Sequence, residues 1–125
     1  MTKAYIYTRC ATQEQVEKFQ LPETINNQIH RCKKYAKEHN YCVIKEFNDI
    51  AIGGNTLLRK GLSELYNSCI ENKIKYVLVE NYERLAKDPI TNWSLKKYFQ
   101  KSGINFIIVD GSAELYYLID QLCDE

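Results

Sequence analysis

The sequence has no apolar run near the ~18 residues that a membrane-spanning helix needs, and Met1-Thr2-Lys3 leads into a strand pattern, not a signal peptide. Its five cysteines are scattered and never spaced as C-x-x-C, and only two histidines accompany them. These absences argue against a membrane protein, a disulfide framework and a zinc site. We therefore expect a soluble, cytoplasmic protein that uses no metal and no other cofactor.

The sequence also lacks an excess of charge of either sign. Its 125 residues include 17 Lys and Arg against 16 Asp and Glu, a formal net charge of +1. A domain that held DNA through counterion release alone would be visibly basic, so any affinity for nucleic acid must depend on other contacts. With 45% apolar and 26% charged residues, the composition is typical of a folded chain, and the length predicts one domain over residues 1–125.

Short apolar runs alternate with helix-length amphipathic stretches, which is the pattern of βα units around a mostly parallel sheet. The four predicted strands are Ala4–Tyr7, Tyr41–Phe47, Tyr76–Glu80 and Asn105–Val109. Three apolar stripes at helical spacing lie between them: Ile25, Ile29, Cys32 and Ala36; Leu62, Leu65 and Cys69; and Ile90, Trp93 and Phe99. The predicted fold is α/β with three layers, in which helices cover both faces of a four- to five-stranded sheet.

Turn and capping residues divide the chain in the same way. Thr24 is predicted to cap the first helix, and Asp88 followed by Pro89 is typical of a helix start. Gly103 is predicted to close that later helix, and residues 48–58 form the one long polar loop. A last helix is predicted from Ser112 to the end of the sequence.

Basic residues follow three of the predicted strands. Because ligands bind beyond the carboxyl ends of the strands in an open α/β sheet, Arg9, Arg59, Arg84 and Lys87 are expected at one edge. Guanidinium groups bind phosphate oxygens in pairs and stabilise charge that develops during phosphoryl transfer. The cluster therefore indicates a phosphate or phosphodiester site, and solvated surface cations near helix ends are the alternative that the spacing leaves open.

Four segments, in order and spacing, resemble the catalytic domain of the serine recombinases, the resolvase/invertase family. Residues 4–15, AYIYTRCATQEQ, resemble the family's Tyr-x-Arg-Val-Ser-Thr-x-x-Gln opening, and residues 24–29, TINNQI, are similar to its Ser-Leu-x-x-Gln helix start. Residues 47–49 with 59–62 match its second signature, and residues 77–88, VLVENYERLAKD, resemble the third, which usually ends Asp-Arg-Leu-x-Arg. The likeness covers nearly all of residues 4–111.

The resemblance implies that a serine hydroxyl attacks a DNA phosphodiester, leaving a phosphoseryl link and a free 3′ hydroxyl until strand exchange reverses the step. It implies DNA as a partner and a homo-oligomer, a dimer that becomes a tetramer in synapsis, with residues 112–125 as the start of a truncated dimerisation helix. The matching site positions are the phosphate-binding arginines Arg9, Arg59 and Arg84; the supporting residues Tyr7, Gln28 and Asp49; and Glu83 and Lys87 of the third motif.

The sequence departs from the family at the most important position. Ala11 stands where the nucleophilic serine belongs, and a methyl group cannot attack phosphorus, so cleavage by the family route should be abolished. Gly53, Glu83 and Lys87 also replace the family's Ser, Asp and Arg, and lysine loses the bidentate fork of arginine. Cys10 does not replace the missing hydroxyl, because its side chain is expected to point into the core.

These observations leave more than one function open. The first hypothesis is a site-specific DNA recombinase catalytic domain that is inactive because of Ala11. The second is a naturally degenerate, non-catalytic homologue that binds a recombinase or its DNA and regulates assembly. A third, a receiver-like phosphate-binding domain, is weaker because no acidic pair follows the first strand.

Overall fold

A computed structural model describes residues 1–10, 23–50 and 59–110, and it contains four strands and four helices in these ranges. In chain order these are β1 (Thr2–Cys10), α1 (Glu23–Glu38), β2 (Tyr41–Ile50), α2 (Lys60–Asn72), β3 (Tyr76–Val79), α3 (Tyr82–Leu85), α4 (Pro89–Gln100) and β4 (Asn105–Ile108). The predictions for Ala11, for Gly53 and for a helix over residues 112–125 fall outside the described residues.

The four strands form one sheet in the order β2-β1-β3-β4, and every neighbouring pair is parallel. The predicted α/β fold is therefore confirmed. One irregularity interrupts the β1–β2 ladder, because Ala4 pairs with Val43 while Tyr5 pairs with Lys45. Ile44 is the extra residue on β2, and its side chain is half-exposed at the sheet edge.

Helices cover both faces of the sheet because successive β1 side chains point to opposite sides. Ala4 and Ile6 pack with Cys32 and Ala36 of α1 in one core. Tyr5, on the other face, belongs to a larger core that α2 and α4 complete with Leu62, Leu65, Leu95 and Phe99. The three-layer arrangement thus follows from strict alternation along β1. None of the helices in the described ranges is long and apolar enough to cross a membrane.

The first two strands are longer than the sequence predicted. β1 runs to Cys10 and β2 to Ile50, and the ladder continues through the pairs Arg9–Asp49 and Cys10–Ile50. Arg9 and Asp49 therefore lie within the sheet and not in the loops after it. Apolar periodicity missed this extension because the buried polar residues Thr8, Arg9 and Asp49 interrupt the apolar pattern there.

Two of the three predicted helix caps are confirmed, and the third needs correction. Asp88 caps α4 as predicted, and its Oδ2 accepts hydrogen bonds from the Thr91 N–H (2.8 Å) and hydroxyl (2.9 Å). These bonds lower the pKa of the Asp88 carboxyl. Thr24 lies inside α1 and is not its cap. Gly103 closes α4 as predicted: its backbone is left-handed (φ 78°), its N–H donates to the Gln100 carbonyl (2.9 Å), and the Ile104 N–H donates to the Phe99 carbonyl (3.1 Å).

The core-facing stripe of α4 was also assigned incompletely. Ile90 is 57% exposed, whereas Asn92, Leu95 and Phe99 are buried. Asn92 is buried because its amide binds backbone carbonyls, a role that apolar periodicity cannot detect. The four-residue helix α3 was not predicted at all, since one turn is too short to show a period.

Candidate active site

The backbone of Arg9 is held by a side chain from α1. The Gln28 Oε1 accepts a hydrogen bond from the Arg9 N–H (3.1 Å), and the Gln28 Nε2 donates to the Arg9 carbonyl (3.0 Å). The side-chain amide of Gln28 thus makes the same two hydrogen bonds with the Arg9 backbone that a neighbouring strand would make. The same Nε2 donates to the Thr24 hydroxyl (3.2 Å), which fixes the amide's orientation. This pairing ties the end of β1 to α1.

The Arg9 side chain reaches the backbone of α3. Its Nε donates to the Arg84 carbonyl (3.0 Å), its Nη2 donates to the Glu83 carbonyl, and the Arg84 Nη1 donates back to the Arg9 carbonyl (3.4 Å). The Arg9 side chain is 1% exposed. Burial lowers the pKa of its guanidinium, and the positive charges of Arg59 and then Arg84 lower it further. Two neighbouring cations therefore act on Arg9 at this edge of the sheet.

The short helix α3 is fixed by capping and by α4. The Asn81 side chain accepts a hydrogen bond from the Arg84 N–H (3.2 Å), which caps the helix. The Asn92 amide donates to the carbonyls of Tyr82 (2.8 Å) and Ala86 (3.0 Å) at either end of α3. Both of these hydrogen bonds are buried, so Arg84 projects from a turn that is anchored at both ends.

A second polar cluster joins β1, β2 and the start of α2. The Tyr7 hydroxyl donates to the Asp49 Oδ2 (2.7 Å), and that carboxylate also accepts from the N–H groups of Gly61 (2.7 Å) and Leu62 (3.0 Å). Burial raises the pKa of Tyr7, so its hydroxyl stays protonated and keeps donating. Asp49 therefore anchors the N-terminus of α2, where a carboxylate also meets the positive end of the helix dipole.

Arg59 immediately precedes α2, so the Asp49 anchor determines its place. Its side chain is 1% exposed, and its guanidinium carbon lies 5.6 Å from the centre of the Tyr7 ring. Within the described residues, Nε, Nη1 and Nη2 of Arg59 are buried and have no hydrogen-bond partner. Burial lowers the pKa of this guanidinium, and Tyr7 and Asp49 oppose that effect. Such donors suit an oxyanion, because a buried charge without a partner is costly.

The other predicted site residues lie at the margin of this cluster. Glu83 is exposed on α3, where its backbone carbonyl accepts a hydrogen bond from Arg9. Lys87 follows α3 and is also exposed. Cys10 is buried and packs with Ile25 and Ile29, which confirms the expectation of a core thiol. The structure thus brings together Tyr7, Arg9, Gln28, Asp49, Arg59 and Arg84.

Sequence reasoning missed one residue that contacts this cluster directly. Glu80, the residue after β3, is buried, and its carboxylate accepts from the side chains of Arg84, Asn81 and Arg31. The available signal was an acid four residues before Arg84, at the end of an otherwise apolar strand. Among the described residues, no group of three or more His, Cys, Asp or Glu side chains is arranged to hold a metal ion.

Comparison with known proteins identifies the class. Residues 4–122 match the family model for the resolvase N-terminal domain, so the chain belongs to the resolvase family. It is a resolvase-family catalytic domain of the serine recombinases, as the sequence motifs had indicated.

Solved structures agree with this assignment. The N-terminal catalytic domain of TP901-1 integrase is 31% identical with a TM-score of 0.78, over 98% of this chain and 92% of that one. The C-terminal catalytic domain of ISC1926 TnpA, an IS607-like serine recombinase, is 25% identical with a TM-score of 0.73, over 96% and 79%. A resolvase family recombinase from Streptococcus pneumoniae, 22% identical over 99% and 87%, shares the fold with a TM-score of 0.72. Curated protein sequences gave no match.

Proposed function

We propose that this chain is the catalytic domain of a site-specific DNA recombinase in which Arg9, Arg59 and Arg84 bind the phosphodiester, and that Ala11 prevents it from cutting DNA. The domain spans residues 1–125, with residues 112–125 starting a dimerisation helix. It acts on DNA in the cytoplasm without a metal or other cofactor. It works as a homo-oligomer, a dimer that pairs into a tetramer in synapsis.

The observation that carries this proposal is the buried, unpartnered guanidinium of Arg59 beside Arg9 and Arg84. In the family reaction a serine hydroxyl loses its proton as its oxygen bonds to phosphorus, the bond from phosphorus to the 3′ oxygen breaks, and the 3′ oxygen takes up a proton and leaves as a hydroxyl. Negative charge grows on the non-bridging oxygens as this happens. Preorganised guanidinium donors stabilise that charge without reorganising, which is the largest usual contribution to such catalysis.

Ala11 removes the attacking oxygen but none of these donors. The chain should therefore keep its affinity for phosphate while lacking cleavage. A degenerate regulator that binds a recombinase or its DNA is a second candidate, because Gly53, Glu83 and Lys87 depart from the family as well. The Glu83 and Lys87 side chains are both exposed at the margin of the buried cluster.

The substitution Ala11→Ser tests the choice between these functions. The variant and the unsubstituted protein are each prepared in full length and incubated with supercoiled libraries of the source organism's DNA, and protein–DNA links that survive detergent are recovered and sequenced. We expect Ala11→Ser to form a phosphoseryl adduct at a discrete sequence and the natural chain to form none. The double variant Ala11→Ser with Arg84→Ala serves as the matched control and should also form none.

The absence of any adduct with Ala11→Ser, in a variant that is folded and binds phosphate, would contradict the recombinase proposal. It would favour the degenerate regulator. An adduct formed equally well by the Arg84→Ala double variant would instead contradict the role given to the arginine cluster.

A further inference from the structure

We propose that Glu80 is a positioning residue, a buried carboxylate that sets the direction of the Arg84 guanidinium and couples it to α1 through Arg31. This inference rests on the proposed function, because it takes Arg84 to be a phosphate ligand. It adds a residue that lies within the third family-like segment, residues 77–88, but to which the resemblance gave no role.

The contacts of Glu80 support this assignment. Its side chain is 4% exposed, and its Oε1 accepts from the Arg84 Nε (3.2 Å) and from the Asn81 Nδ2 (3.2 Å). Its Oε2 accepts from the Arg31 Nη1 (3.1 Å). Asn81 also caps α3, so the same carboxylate contacts the helix cap and the arginine that the helix carries. Both carboxylate oxygens are thereby used.

The geometry of a guanidinium explains why this matters for Arg84. A planar guanidinium presents two bidentate edges, one with Nε and one with both terminal nitrogens. Glu80 occupies Nε, so the Nη1–Nη2 edge is the one that faces away from it. Nη1 also donates to the Arg9 carbonyl at 3.4 Å, a long contact that directs this edge toward Arg9. The Arg84 side chain is 28% exposed and is therefore within reach of an incoming phosphate.

Charge gives a second reason for an acid at this place. Arg9 and Arg84 contact each other, and Arg59 adds a third positive charge nearby. A carboxylate bound to the rear of Arg84 offsets part of their repulsion while leaving the forward edge to bind an anion. The Arg31 side chain is 63% exposed, so its ion pair with Glu80 is expected to contribute less than that of Arg84.

The test measures the affinity of inorganic phosphate for the 125-residue chain by following the arginine Nε–Hε resonances of ¹⁵N-labelled protein. Five variants are compared with the unsubstituted chain: Glu80→Ala, Glu80→Gln, Arg84→Ala, the double variant that combines Glu80→Ala with Arg84→Ala, and Lys33→Ala. Glutamine keeps an acceptor oxygen for the Arg84 Nε and removes the charge. Lys33→Ala removes an exposed ion pair, to Glu46, and serves as the control for a surface charge change.

We expect Glu80→Ala to bind phosphate about three- to tenfold more weakly, which corresponds to the cost of ordering one long side chain on binding. It should add little to the loss caused by Arg84→Ala when the two are combined. Glu80→Gln should stay within about threefold of the natural chain, since one hydrogen bond to Nε is preserved. Lys33→Ala should leave the affinity unchanged.

A merely structural role for Glu80 predicts a different result. A folded Glu80→Ala variant that binds phosphate as the natural chain does, while Arg84→Ala does not, would overturn the positioning role alone. If Glu80→Ala does not fold, the phosphate affinity of Glu80→Gln decides. A loss of affinity as large as that of Arg84→Ala would overturn the inference. Retained affinity, with an Arg84 Nε–Hε resonance at the same position as in the unsubstituted chain, would support it. Failure of the natural chain to bind phosphate would instead contradict the proposed function.

Discussion

Replacing Gly61 with alanine is expected to destabilise the protein, although alanine is the better helix former by about 1 kcal/mol. A Cβ atom at this position would overlap the Asn48 carbonyl oxygen and lie 2.8 Å from the Asn48 carbonyl carbon and 2.9 Å from the Asp49 Cγ. Two of these three atoms belong to backbone that the β1–β2 ladder holds in place. The start of α2 must therefore move away from Asp49, which weakens the hydrogen bonds from the Gly61 and Leu62 N–H groups.

Overpacking of this kind costs about 1–3 kcal/mol, and weakening the two hydrogen bonds offsets the gain in helix propensity. The net loss of unfolding free energy is therefore about 1–3 kcal/mol, or a fall in Tm of about 4–12 °C for a domain of this size. Urea and thermal unfolding followed by circular dichroism measure both quantities. Gly103→Ala is the matched control, because Gly103 has a φ of 78° but no atom within 4 Å of an added Cβ.

The control should lose about 1 kcal/mol through backbone conformation alone. Phosphate affinity should fall in Gly61→Ala, because Arg59 lies two residues before the displaced turn, and should be unchanged in Gly103→Ala. A Gly61→Ala variant as stable as the unsubstituted chain would refute the claim that the start of α2 packs so closely against Asn48 and Asp49 that no Cβ atom fits.

Three further substitutions test separate parts of the account. Tyr7→Phe should lower the unfolding free energy by about 1.5–3 kcal/mol, because it removes a buried hydrogen bond to Asp49. The pKa of Tyr7 is raised in the folded state, so this difference in unfolding free energy should hold below about pH 10 and shrink above it, as measured by urea unfolding at a series of pH values. Arg59→Met should raise the unfolding free energy by about 1–3 kcal/mol while weakening phosphate binding, since it removes buried donors without partners; a destabilised variant would contradict this. Asp88→Ala should lower the Tm. Because the pKa of Asp88 is depressed in the folded state, the difference in Tm between the variant and the unsubstituted chain should fade as the pH drops below about 4; a difference that does not change with pH would contradict this.

The fold could be predicted from the sequence because its core follows simple periods. β1 alternates between two faces, and the stripes of α1 and α2 repeat at helical spacing, so both cores were visible as patterns. The ends of β1 and β2 could not be predicted in this way. There the buried residues are Arg9 and Asp49, whose burial depends on partners distant in the chain.

The candidate site was only partly visible for the same reason. The three arginines were found because topology places strand ends together and because the motifs resemble a known family. Glu80 was not predicted, because a single acidic residue after an apolar strand does not indicate a role by itself. Its role follows only from the hydrogen bonds that Arg84 and Arg31 donate to it in the structure. The role of Asn92 could not be predicted either, because it consists of hydrogen bonds to the backbone carbonyls of Tyr82 and Ala86, which leave no pattern in the sequence.

A crystal structure of this chain with phosphate would test the central claim most directly. The account predicts one phosphate at the end of β1, with its oxygens within hydrogen-bond distance of the guanidinium groups of Arg9, Arg59 and Arg84. Phosphate bound only at other surfaces, at concentrations that saturate the protein in solution, would contradict it.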